Sequence, residues 1–137
     1  MKWILLLGCL FLVGCGITTG DPVGVQVTLH WTTPGDDGMV GQATAYDLRY
    51  STELITEANW DNCPNAVCGL IDEEPIPGLP YFEQDFTFPL EVELGVNYYF
   101  CIKTVDDAGN WSLISNVVMK NFPDNIPPAS IADLTAD

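Results

Sequence analysis

Apolar and polar residues alternate one by one through VQVTLHW at 25–31, and the same period of two returns in AYDLRYS, DFTFPLEVEL and NYYFCIKTV. A period of two places every second side chain on one face of a pleated strand, whereas an amphipathic helix needs spacings of three and four. Helical spacing is nearly absent from this chain. Turn-forming clusters, TTPGDDG and EEPIPGLP among them, separate the alternating runs. Pro75, Pro77 and Pro80 make the second cluster an extended surface crossing, because proline cannot donate to a strand ladder. The chain therefore reads as all-β, with about six or seven short strands folding as a β-sandwich.

The period also says which side chains face inward. They are Val25, Val27, Leu29 and Trp31 in the first run, and Tyr46, Leu48 and Tyr50 in the second. Phe86, Phe88, Leu90 and Val92 follow, then Tyr98, Phe100 and Ile102. Asp47 and Arg49 fall on the outer face, and SNVVMK at 115–120 reads as the last full strand. Burying each large side chain contributes roughly 1.5–3 kcal/mol, and conformational entropy offsets most of it. A chain of 137 residues fits one domain with one small aromatic core and no second one.

The start of the chain follows different rules. Lys2 is its only charge, Trp3 to Val13 is apolar, and LVGC follows at 12–15. So short an apolar run cannot span a bilayer as a stable helix and reads as the core of a signal peptide. The closing LVGC resembles the lipobox of bacterial lipoproteins. That resemblance implies cleavage before Cys15 and acylation of Cys15, with several acyl chains holding the protein to a membrane. Residues 1–14 would be the leader and 15–24 the anchor linker. Gly16, rather than an aspartate, follows the cysteine, which in enteric-type sorting would permit export to the outer membrane.

Nineteen acidic residues against four basic ones give a formal net charge of −15. Such a surface repels nucleic acid and anionic lipid and favours divalent cations or a basic partner. Cys63 and Cys68 enclose PNAV, a turn that brings their ends together. In an exported protein they are expected to form a disulfide, since zinc wants four ligands and only Cys101 and His30 remain.

Catalytic patterns are missing. His30 falls on the outer face beside Trp31, with no metal-ligand partner and no nucleophile elbow to serve. Asp36–Asp37, Glu73–Glu74 and Asp106–Asp107 are paired carboxylates, but they sit in turns without an apolar cleft to raise a pKa. The chain reads as a non-enzyme with no resident cofactor.

Four segments, VTLHWTTPGDDG, AYDLRYSTELITEANW, YYFCIKTVDDAGNWS and SNVV, in this order and at these distances, resemble a bacterial fibronectin type III domain. The resemblance covers residues 25–120. It implies an immunoglobulin-like sandwich with sheets ABE and C′CFG, Trp31 on B, YDLRYS as C, FTF as E and YYFCIKT as F. Tyr98 would be the corner tyrosine, its hydroxyl bonded back to the E–F loop. Strand A is missing or reduced to about Ile17–Thr19, since only GITTGDPVG separates Cys15 from strand B. Cys101 would lie on the outer face of C′CFG, as a free thiol or a competitor for Cys63 or Cys68. The B–C and F–G loops would meet at one pole and gather Asp36, Asp37, Asp106, Asp107 and Asn110, oxygen ligands of the kind calcium takes, although tight turns favour the same residues. The tail at 121–137, DNIPPASIADLTAD within it, resembles the start of a following repeat.

These features together are expected of a non-enzymatic, lipid-anchored module of the bacterial cell envelope, serving binding, adhesion or spacing toward a protein or polysaccharide partner. The second expectation is an accessory domain or fragment of a larger secreted polysaccharide-degrading enzyme or adhesin.

Overall fold

A computed structural model describes residues 21–61, 69–70 and 74–136. The leader, Cys15, the Ile17–Thr19 segment, Glu73 and the Cys63–Cys68 pair lie outside the described residues.

The described chain is all-β, with strands β1 (Val23–Thr32), β2 (Ala45–Ser51), β3 (Gly69–Leu70), β4 (Glu83–Val92), β5 (Asn97–Val105) and β6 (Val118–Asn121). Two antiparallel sheets form: β1 with β4, and a four-stranded sheet in the order β3-β2-β5-β6. Pro89 lies opposite Gln26 inside β4. A ladder tolerates a proline only on an edge strand, and among the described residues β4 pairs with β1 alone.

The main core packs between the sheets. Val27, Leu48, Phe88, Leu90, Val92, Tyr98 and Phe100 are buried there, with Leu29, Trp31, Tyr50, Phe86 and Ile102 half-buried against them. Tyr46 is also buried and meets Trp31 edge to face, with ring centroids 5.3 Å apart. Phe122 closes this core against Tyr98, with ring centroids 5.7 Å apart.

Three expectations need correction. A second apolar cluster exists: Ile55, Trp60 and Cys101 are buried on the outer face of the four-stranded sheet, with Ile114 and Val117 beside them. The chain after β2 folds back over that face, so the positions of Asp47 and Arg49 are half-covered rather than solvated. Arg49 bonds Asp47 at 2.8 Å and stacks 4.3 Å over the Trp60 ring. The last strand, finally, starts at Val118 and not at Ser115. The Ser112 and Ser115 hydroxyls accept the amides of Thr104 and Ile102, at 3.0 and 3.1 Å, where backbone carbonyls would stand in a ladder.

The strand directions place every connection. β1 and β5 end, and β2 and β4 begin, at one pole. The start of β1 and the end of β6 lie at the opposite pole, where Gly95 N–H donates to the Phe122 carbonyl at 2.6 Å.

Candidate functional site

Three irregular segments meet at the first pole: 33–44, 74–82 and 106–117. Thr33 joins the first two. It is fully buried, its backbone N–H donates to the Phe82 carbonyl at 2.9 Å, and its hydroxyl donates to the carbonyls of Leu79 and Phe82. Gln42 adds a bond from its Nε2 to the Pro77 carbonyl at 2.7 Å. Asp36 joins the first to the third, its carboxylate accepting the Asp107 amide at 2.9 Å.

The acids of segments 33–44 and 106–117 are therefore neighbours, but each carboxylate is differently engaged. Asp106 accepts both the backbone and the side-chain N–H groups of Asn110 at 2.7 Å, which hold its carboxyl below the ordinary range. Asp37 and Asp107 are exposed. Among the described residues, no three His, Cys, Asp or Glu side chains converge as a metal-holding group. Asp106 serves its own loop as an acceptor, the role tight turns give aspartate, and Asp36 serves the neighbouring one.

The pole carries apolar side chains that the alternating pattern does not single out. Tyr81, Phe82 and Trp111 are 70%, 65% and 53% exposed, and Val40, Ile76, Leu79 and Leu113 are exposed on the same three segments. Tyr81 adopts a φ of 71°, a left-handed conformation that a bulky residue rarely takes. Trp111 bridges to Val105 and lines a cleft of ≈ 400 Å³ with Pro34, Asp36, Asp37, Asp106 and Asn110. The sequence signal was available: large apolar residues inside proline- and glycine-rich connections, where burial by a strand face cannot explain them.

Cys101 carries no disulfide and is buried. Desolvation pushes its thiol up to about 11, so the nucleophilic thiolate is scarce at neutral pH. Lys103 binds Glu57 at 2.9 Å, and Glu57 also accepts the Ile114 amide; both bonds hold the Glu57 carboxyl low and tie the outer layer down. His30 is exposed on β1 opposite Asp85, and Cys101 and His30 lie on different sheets. They nevertheless border one apolar cleft of ≈ 280 Å³ between β1 and the β5–β6 side, floored by Leu48, Phe100 and Ile102. The indole N–H of Trp31, on the same border, is buried without a hydrogen-bond partner among the described residues. No helix among the described residues is long and apolar enough to cross a membrane.

No family model matches the chain. A mouse protein described as calcium-activated chloride channel regulator 2 is 28% identical over 138 residues, a match that covers 90% of this chain and 14% of that protein. The chain thus spans a small part of the relative it resembles.

Proposed function

We propose that this chain is a fibronectin type III-like module of the bacterial cell envelope, anchored through a lipidated Cys15 and working by binding rather than by catalysis. The observation that carries the reading is polarity. The described chain enters β1 and leaves β6 at one pole, and three stitched loops project from the other with aromatic side chains exposed. A module tethered near Val23 would hold those loops away from its attachment. The family assignment draws support from the β3-β2-β5-β6 order facing β1-β4. It also draws support from Tyr98, whose hydroxyl accepts the Glu93 amide at 2.9 Å, the bond expected of a corner tyrosine. Metabolic labelling with a fatty acid tests the anchor: label on the wild type and none on Cys15→Ala is expected, and equal labelling would sink it.

One observation favours the second reading, an accessory domain within a longer secreted protein. The similarity to the mouse regulator falls on 14% of that protein, so a sequence of this kind occurs as one segment of a much longer chain.

A further inference from the structure

Segments 33–44, 74–82 and 106–117 contain no Lys, Arg or His, and Asp36, Asp37, Asp106 and Asp107 lie where the first and third of them meet. Among the described residues, the lysines and the arginine are elsewhere. Arg49 and Lys103 are bound to carboxylates beneath the outer layer, and Lys120 lies over Phe122 at the other pole. The loop pole therefore combines exposed aromatic faces with uncompensated negative charge. Trp111 lines one cleft with Asp36, Asp37 and Asp106, and exposed apolar groups in such settings mark interaction surfaces. Aromatic faces beside carboxylates suit one kind of group above others, a cation on an apolar stem, which gains from the ring quadrupole and from the anionic field together.

We infer that the loop pole, from the Tyr81–Phe82 knuckle to Trp111, docks a protein segment in which Lys or Arg is interleaved with apolar residues. This rests on the binding-module reading and names the partner's chemistry. The basic side chains would lie over Trp111 against Asp37 and Asp107, and the apolar ones over Tyr81 and Phe82. Tyr81 holds its left-handed φ while its amide donates to the Thr33 carbonyl at 3.1 Å, so the knuckle is fixed by the stitch between the first two loops.

The test is calorimetric titration of the full chain in uncharged detergent with a synthetic peptide alternating Lys and Leu. Because the whole protein is acidic, location has to be separated from net charge. Asp37→Asn with Asp107→Asn, and Trp111→Ala, are each expected to weaken binding about tenfold. Glu91→Gln with Asp133→Asn removes as much charge elsewhere and is expected to leave binding unchanged. Tyr81→Gly should weaken binding yet melt no lower than wild type, since glycine accepts the left-handed φ freely. Equal weakening by the two charge-neutralising pairs would overturn the proposal, as would unchanged binding in Trp111→Ala. Salt-insensitive binding of a neutral glucan, lost in Trp111→Ala while the peptide fails to bind, would overturn it in favour of a polysaccharide site. The fatty-acid label reads the anchor separately, so either result can fail alone.

Discussion

Tyr98 and Cys101 sit three residues apart on β5 but face opposite sides of its sheet, and each gives a prediction. Tyr98 is buried between the sheets while its hydroxyl caps the Glu93 amide. Tyr98→Phe keeps the ring and strands that donor, so a loss of about 1–1.5 kcal/mol is expected in urea unfolding. Cys101 is a thiol whose pKa rises on folding, mainly through desolvation, to about 11. Below the unfolded value near 8.5–9 both states keep the proton, and the thiol's contribution is intact. As pH climbs toward about 11 the unfolded chain ionises first, so stability falls through that window. The fall should be shallower in Cys101→Ala, and the difference between the two urea midpoints against pH isolates the effect from other titrating groups. Parallel curves would show that the thiol is hydrated in the fold.

The outer layer is the element through which Cys101 is protected. Trp60 roofs the thiol and is itself held by Arg49 at 4.3 Å and Lys103 at 4.8 Å from its ring. Trp60→Ala removes the roof at a cost on the order of 3 kcal/mol. The local readout is thiol labelling: Cys101 should react slowly in the wild type and readily in Trp60→Ala while the sheets remain folded. Slow labelling in both would assign the protection to Ile114 and Val117 instead. This layer was not legible in the sequence, and the reason is physical. Alternation reports which face of a strand is apolar, and Val27, Leu48, Phe88 and Phe100 were readable on that basis. It says nothing of Ile55 or Trp60, which lie in an irregular stretch and reach the sheet only because the chain doubles back. The start of β6 was hidden for a related reason: two serine hydroxyls take ladder positions that the pattern assigns to backbone. At the loop pole, turn chemistry pointed to Asp36 and Asp106, but exposure of Tyr81, Phe82 and Trp111 depends on how three connections pack together.

At the scale of the whole molecule, the question is what covers the two-stranded sheet. Among the described residues β1 pairs only with β4, and no described strand lies along its other edge, beside the apolar cleft over Leu48 and Phe100. The tail after Phe122 forms no strand, and Ile126, Ile131 and Leu134 are exposed. Its SIADLTA run alternates well enough to pair, yet geometry keeps it from its own β1. β6 ends at the pole where β1 begins. An antiparallel partner for β1 must enter at Thr32 and run back toward Val23. Pro123 to Ser130, fully extended, reaches about 26 Å at about 3.3 Å per residue, close to the length of β1, and leaves nothing for the reversal. Parallel pairing would be open to it but is uncommon in antiparallel sandwiches. The tail is therefore expected to project from the domain, free to offer its alternating run to a strand of another molecule. Amide hydrogen exchange at high dilution checks this. Residues 124–136 should exchange at once, while β2 and β5 stay protected. Slow exchange of Ile131 to Leu134 under the same conditions would mean that the tail completes its own sandwich.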